Sequence, residues 1–199
     1  MLTILAAAAA MALPDPGKPF QRSIKAALPR ELWESDLAAM WYEASVDKNG
    51  TIVDCKVRGS FGDPKAATKV CDVIKGKHVD PGRGPDGKPM PSSFRAPLFL
   101  VEGTIPDSFL DQRADVWFEI DPLPGGARKP IQEDLVVLVD AEGTITECKA
   151  ADGPSALGQK ACQEVRAVSM PARETKSGEP IAYLLPVIFE FTTQLPDES

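Results

Sequence analysis

Apolar and polar side chains alternate with a period of two in two separate parts of the chain. In residues 51–57 the apolar side chains of Val53, Cys55 and Val57 are separated by charged ones. Residues 144–150 follow the same alternation, again with a cysteine among the positions of one side. A period of two is typical of a β-strand with one buried face. The pattern therefore predicts two strands, each with a cysteine that faces the core.

Each of these strands is preceded by another strand-like run, with a turn between the two. The preceding runs are residues 40–46 and 135–139. The turns are Asp-Lys-Asn-Gly at 47–50 and Asp-Ala-Glu-Gly at 140–143. Asn-Gly between strand-like runs is a strong hairpin signal, because glycine adopts the positive φ that tight turns require. Two β-hairpins are therefore predicted.

Helical periodicity follows each hairpin. Apolar side chains recur three or four positions apart, which is the spacing of one helix face. These side chains are Ala67, Val70, Cys71 and Ile74 in the first copy, and Leu157, Ala161, Cys162 and Val165 in the second. A third apolar strand follows at 93–101 and at 181–192. The order predicts an α+β fold of two tandem modules (β-β-α-β), each a three-stranded antiparallel sheet with one helix packed on a face.

An internal repeat sets the boundaries of the predicted modules. VDKNGTIVDCKV at 46–57 returns as VDAEGTITECKA at 139–150, with seven of the twelve positions identical. A repeat of this kind indicates a duplicated structural unit. We predict a lead-in at 13–35, a first module at 36–104, and a linker strand with a second module at 105–199.

Residues 1–13 form an apolar stretch without charged side chains. The stretch is shorter than the roughly 20 apolar residues that a membrane-spanning helix needs, so no stable membrane span is predicted. Ala10, Met11 and Ala12 match a small-x-small cleavage site, and residues 1–12 are predicted to be a secretory signal peptide. Two alternatives remain, a start codon assigned too far downstream and an N-terminal helix packed on the fold. The signal interpretation predicts an exported protein.

The four cysteines fall at matching places in the two copies of the repeat. In an exported chain this pattern predicts one disulfide per module, Cys55 with Cys71 and Cys148 with Cys162. The alternative is a zinc site with four cysteine ligands. Structural zinc sites usually contain two cysteines two to four residues apart, and this sequence has no such pair. We therefore predict disulfides and no metal.

Charge and motif content argue against several classes of function. The net charge of −7 is opposite to the clustered positive charge of nucleic-acid-binding proteins. The chain has one histidine, His78, which follows the first predicted helix. No nucleophile, metalloprotease or phosphate-binding motif occurs. We predict neither catalytic residues nor a cofactor.

The order of these motifs resembles a known family. The family pattern is a V-x-V-D-x-x-G hairpin, a short helix, a stretch from a proline to G-x-P, and a final strand. The chain has ASVDKNG with DPGRGPDGKP, and LVVLVDAEGTITEC with MPARETKSGEP, although Ala44 stands where the first valine of the pattern would fall. Each module thus resembles the C-terminal domain of TonB, the periplasmic end of an energy transducer that serves outer-membrane transporters. The resemblance covers about residues 36–101 and 115–193.

The resemblance implies a periplasmic protein that binds an extended peptide by β-strand addition and is associated with TonB-type outer-membrane transport. The implied partner is a protein or peptide, such as a segment of an outer-membrane transporter. A complete transducer is expected to have a membrane helix and a long proline-rich spacer. Neither is evident in this sequence, so the chain looks like the recognition module alone.

In the family, the last strand of the domain pairs with the partner peptide. The resemblance assigns this role to residues 94–100 and 183–189, in which Pro97 and Pro186 suggest edge strands because proline cannot donate to a ladder. The implied contact residues are Phe94, Arg95, Ala96, Leu98, Tyr183, Leu184, Val187 and Phe189. Two alternatives stay open. In the first, these residues belong to the core. In the second, the two edges pair with each other or form a homodimer, and the chain is a structural or assembly protein.

Overall fold

The computed structural model of the chain describes residues 11–100, 105–106, 109, 114–175 and 177–194. Most of the predicted signal peptide and residues 101–104 of the predicted first module lie outside these residues. The helices are α1 (Gly17–Ala27), α2 (Arg30–Trp33), α3 (Pro64–Ile74) and α4 (Ala156–Val165). The strands are β1 (Ala39–Val46), β2 (Ile52–Phe61), β3 (Ser92–Phe99), β4 (Val116–Glu119), β5 (Ile131–Val139), β6 (Ile145–Ala150), β7 (Arg173–Glu174), β8 (Pro180–Ile181) and β9 (Tyr183–Thr192).

Seven of the described strands form one sheet with the order β2-β1-β3-β9-β5-β6, in which β4 pairs with β9 beside β3. The predicted α+β class is therefore confirmed, but two separate three-stranded sheets are not. Each half still runs strand–strand–helix–strand, as β1-β2-α3-β3 and β5-β6-α4-β9. The halves join where β3 and β9 run parallel at Ser92 and Leu184, and the N–H of Leu184 donates to the Pro91 oxygen at 3.0 Å.

The helices of the two halves lie on opposite faces of this sheet. In the first half Tyr42 and Phe94 pack in one core with the helices α1, α2 and α3. In the second half Tyr183 packs in a core with α4. Ser92 and Leu184 are paired and so share a face, which is the face of Phe94 but the one opposite Tyr183. We call the face with α1–α3 the front and the face with α4 the back. The halves are thus related by an approximate two-fold axis along β3 and β9.

Both predicted hairpin turns are present, and they are built alike. The Asp47 carboxylate accepts hydrogen bonds from the N–H groups of Asn49 and Thr51, both at 2.9 Å. Asp140 does the same in the second turn. Gly50 has a φ of 89°, and a side chain there would collide with the Val79 carbonyl oxygen. Glycine is therefore required at the end of the turn.

Each helix that carries a cysteine is capped and bonded to its neighbouring strand. Asp63 accepts from the N–H of Lys65 at the start of α3, and Ser155 accepts from the N–H of Gly158 at the start of α4. The structure contains both predicted disulfides, Cys55–Cys71 and Cys148–Cys162. Two disulfides are typical of an exported protein. No described helix has the length and apolar content to cross a membrane.

The chain from Met11 to Leu13 belongs to the fold. Ala12 pairs with Arg83 through two backbone hydrogen bonds of 2.9 and 2.8 Å. Met11 is buried in a small cluster with Val136 and Leu184, on the front face of the second half. The last two residues of the predicted signal peptide therefore make contacts with the folded domain.

The Tyr42 hydroxyl is buried in the front core without a hydrogen-bond partner among the described residues, and burial raises the pKa of this phenol. A buried unpaired polar group is destabilising. We expect Tyr42→Phe to raise the free energy of unfolding by about 1 kcal/mol, measured by urea denaturation. Tyr183→Phe is the matched control, because the Tyr183 hydroxyl donates to the Pro171 oxygen at 2.7 Å and its removal should lower stability. A loss of stability in Tyr42→Phe would contradict this assignment.

Candidate peptide-binding groove

The structure places the predicted contact strands inside the sheet instead of at its edges. β9 pairs with β5 along one side, and with β3 and then β4 along the other. The predicted contact residues belong to the interior: Phe94, Ala96, Leu98, Tyr183, Leu184, Val187 and Phe189 are buried, and the Arg95 side chain is 8% exposed. The prediction that the third strand is an exposed edge is therefore wrong for β9, which is paired on both sides. For β3, the predicted contact residues are buried, so the prediction that they lie on the surface is wrong.

Pro186 marks a division between two partners of β9 instead of a free edge. The N–H of Leu184 donates to the oxygen of Pro91, the residue before β3, and the N–H of Ile188 donates to the Asp115 carboxylate at 2.9 Å. Alternate N–H groups of a strand point to the same side. An N–H at position 186 would point into the gap between these partners, so a proline there leaves no donor unpaired.

A partly buried ionic network occupies this gap on the back face, with Arg95 as its most buried member. The Arg95 guanidinium donates to both oxygens of Asp115 at 2.6 and 2.9 Å and to Glu43 at 3.1 Å. Arg58 contacts Asp115 at 2.7 Å, and Arg173 lies 3.6 Å from Glu43. Burial opposes the charge of Arg95, but the hydrogen bonds and charges of Asp115 and Glu43 outweigh it and raise the pKa of the guanidinium. The network of three arginines and two carboxylates therefore joins the two halves.

Asp134, on β5, is exposed, but neighbouring groups partly desolvate its carboxylate, and this raises its pKa together with repulsion from Asp152. An acid with a raised folded-state pKa destabilises the fold when it is ionised, and the penalty disappears as pH falls through that pKa. We expect Asp134→Asn to raise the thermal midpoint at pH 7. The gain should shrink in acid and vanish below the ordinary carboxyl pKa of 3.8. Asp72→Asn on the exposed side of α3 gives the background effect, and a gain that is independent of pH would contradict this explanation.

Arg173 anchors the short β7–β8 hairpin to the first half. Its guanidinium donates to the Ser93 hydroxyl at 2.8 Å and lies 4.0 Å from the centre of the Tyr183 ring. Together with the contact to Glu43, these interactions hold the hairpin above the back face of β1 and β2. The sequence predicts this stretch only as a connection that runs from a proline to G-x-P, so the hairpin was not predicted. The one signal in the sequence was that MPARETKSGEP occupies the same place in the second copy of the repeat as DPGRGPDGKP does in the first.

An open groove of about 960 Å³ lies between this hairpin and the back face of the first half. The lining residues that matter for its chemistry are Ser45, Val53 and Lys56 on the sheet, and Glu174, Ile181 and Ala182 on the hairpin. The sheet and the hairpin come from different copies of the repeat. The groove therefore exists only because the two halves share one sheet.

The groove offers backbone, apolar and charged groups to a ligand. The N–H and C=O groups of Glu174 point away from β8, because the hairpin is closed by the pair Arg173–Ile181 and by the bond from Thr175 to Glu179. Val53 is 46% exposed. Among the described residues nothing forms an ion pair with Lys56. Such a surface can pair with an extended backbone, cover an apolar side chain and attract a carboxylate.

The part of the chain that the structure describes contains no group of side chains arranged to bind a metal ion. His78 is exposed, and its backbone bridges to Thr51. No three metal-ligating side chains within the described ranges are grouped to hold an ion.

The two outer strands of the sheet are β2 and β6. β2 has two register shifts and several charged side chains, which make it a poor template for another strand.

Comparisons with known proteins add no relative: no protein-family model, no curated protein and no solved structure matches this chain.

Proposed function

We propose that this protein is an exported, periplasmic protein-binding module that captures an extended segment of a partner by β-strand addition. The observation that carries the proposal is the groove beside β7, where the outward N–H and C=O groups of Glu174 face an open volume of about 960 Å³. The resemblance of the sequence to the TonB C-terminal domain supports the same activity. It points to a periplasm-facing segment of an outer-membrane transporter as the partner. The site of capture differs from the family's, because the third strands lie inside the sheet.

A display selection tests this function. Random linear peptides are selected on the immobilised full chain, and the enriched peptides are then measured against Ala182→Arg, which places a long side chain in the groove. Ala172→Arg is the matched control, since Ala172 is exposed on the same segment but does not line the groove. We expect micromolar binding that is lost in Ala182→Arg and kept in Ala172→Arg. Failure to enrich any peptide, or equal binding to both variants, would overturn the proposal.

A structural or assembly role is the second candidate, and the pairing of β3 with β9 favours it. In this role the third strands serve to join the two halves, and β2 or β6 could join further copies into a homodimer. Sedimentation of the full chain distinguishes the two functions. A dimer whose dissociation does not respond to groove peptides supports assembly, whereas a monomer that binds them supports capture.

A further inference from the structure

The two halves contain equivalent hairpins, and within the described residues only one of them has an open outer edge. In the second half Thr175 N–H donates to Glu179 O at 2.8 Å, and Gly178 N–H donates to Thr175 O at 3.0 Å. In the first half Gly84 N–H donates to Lys88 O and Gly87 N–H donates to Gly84 O, both at 2.9 Å. The hydrogen bonds correspond one to one. Arg83 is therefore the counterpart of Glu174, and Gly82 that of Arg173.

The outer edge of the first hairpin is already occupied by an extended segment of the same chain. Ala12 exchanges two backbone hydrogen bonds with Arg83. On either side of it, Met11 is buried against Val136 and Leu184, and Leu13 packs on the same cluster. This segment lies on the front face of the second half, where the two-fold axis places the counterpart of the groove. A chain that keeps Met11 and Ala12 therefore contains one filled copy of its open groove, whereas the predicted cleavage after Ala12 would empty that copy.

The two copies differ in the part of the sheet that is already covered, and this difference defines the space that remains in the open groove. The counterparts of Val136 and Leu184 are Glu43 and Ser93, and the Arg173 guanidinium contacts both. Gly82 has no side chain to do the same in the first hairpin. Arg173 thus covers the part of the sheet that Met11 covers in the filled copy. Only the part of the groove that corresponds to Leu13 remains open to a large side chain.

The open part has an apolar wall and an unpaired cation. Ile181 corresponds to Met90, which packs on the filled cluster, and exposed Val53 lies across the groove from it. Lys56 lines the groove without an ion pair among the described residues. The groove carboxylates of Asp47 and Asp54 are bound by N–H groups of the turn and by Lys75, and Arg173 contacts Glu43. An apolar side chain near Ile181 would lose its contact with water there, and a nearby carboxylate would be attracted to Lys56.

We infer that the groove binds an extended acidic peptide of a partner protein that pairs antiparallel with Glu174 as Ala12 pairs with Arg83. The peptide has a small residue where Met11 lies in the filled copy and an apolar residue two positions later, which contacts Ile181. Acidic residues flank this core. The inference rests on the proposed function and specifies the ligand of the same groove.

A blocked peptide of this design tests the inference. The probe is acetyl-Glu-Ala-Thr-Leu-Glu-amide, titrated into the isotope-labelled full chain up to millimolar concentration and followed by amide chemical shifts. We expect saturable shifts at Glu174, Ile181 and Lys56. N-methylation of the central threonine removes the N–H that corresponds to that of Ala12, and it should weaken binding about ten-fold.

Two variants with matched controls test the pairing from the protein side. Glu174→Pro removes the outward N–H but none of the hydrogen bonds that close the hairpin, so it should lower affinity about ten-fold at an unchanged thermal midpoint. Arg83→Pro removes the equivalent N–H in the filled copy and should lower the thermal midpoint without changing affinity. Ile181→Asp should abolish binding, since it removes the apolar contact and places a carboxylate beside an acidic ligand.

The outcomes separate this inference from the function on which it rests. Peptides that are selected in the groove but bind Glu174→Pro as well as they bind the wild type would overturn the strand pairing and leave the proposed function standing. Absence of binding by the designed peptide at millimolar concentration, or shifts confined to β2 or β6, would overturn the inference. Absence of any groove peptide in the display selection would overturn both.

Discussion

Replacing Asp115 by asparagine is expected to lower the free energy of unfolding by about 3 kcal/mol. The Asp115 side chain is 18% exposed and pairs with Arg95, which is 8% exposed. Asparagine has nearly the same shape but no charge, so Arg95 would remain in the gap between β3 and β9 with only Glu43 to balance it. Removal of one partner of a buried pair leaves the other charge uncompensated, which costs more than the pair contributes when it is intact.

The measurement is chemical denaturation of Asp115→Asn at neutral pH, with Arg30→Met as the matched control. Arg30 forms an ion pair with Glu34 on the protein surface, where the side chains are 88% and 61% exposed. A solvated pair contributes between about 0 and 1 kcal/mol. A loss in Asp115→Asn as small as that in the control would show that the network does not hold the two halves together.

The ionic network joins the two halves into one sheet through residues that are far apart in the chain. The sequence therefore predicts each half better than it predicts the single sheet that the halves form. The hairpins, helices and disulfides follow from local signals such as the turns that end in glycine, the helical spacing of apolar side chains and the matching positions of the cysteines. The union follows from contacts between residues far apart in the chain, such as Arg95 with Asp115 and Leu184 with Pro91. No local sequence pattern predicts those contacts.

One signal of the union was present in the sequence. Residues 183–189 are a nearly unbroken apolar run, and such runs are typical of strands that are buried on both faces. An outer strand with one solvated face would alternate instead. Pro186 pointed the other way, because a missing N–H is tolerated both at an edge and at a division between two partners. The apolar run was the better guide, since it depends on burial and not on the identity of the neighbour.

The sequence contains the residues of the candidate site but does not indicate that they form one. Glu174 and Ile181 lie in a stretch whose composition indicates a connection, and their role depends on a fold that places them above β1 and β2 of the other half. The internal repeat was the means to find them, because it makes Arg83 and Glu174 equivalent. Recognition of the site needed the observation that one copy is filled by Ala12 and the other is open.

Removal of either disulfide by a double Cys→Ala substitution is expected to lower the free energy of unfolding by about 3 kcal/mol. The bridges Cys55–Cys71 and Cys148–Cys162 close loops of similar length, with sequence separations of 16 and 14. The entropy that a bridge removes from the unfolded chain varies only with the logarithm of loop length, so the two losses should be nearly equal. Alanine avoids burial of the hydroxyl that serine would introduce.

This prediction is tested by comparing the loss of stability in the two halves. The bridges lie in different cores, so the losses should add in the fourfold variant, and the unmodified protein in a strong reductant should match that variant. Urea denaturation followed by the fluorescence of the three tryptophans measures all four proteins. Because the halves share one sheet and one ionic network, each variant should unfold in a single transition. Two separate transitions would mean that the halves fold independently, and the groove between them would then not persist when either half unfolds.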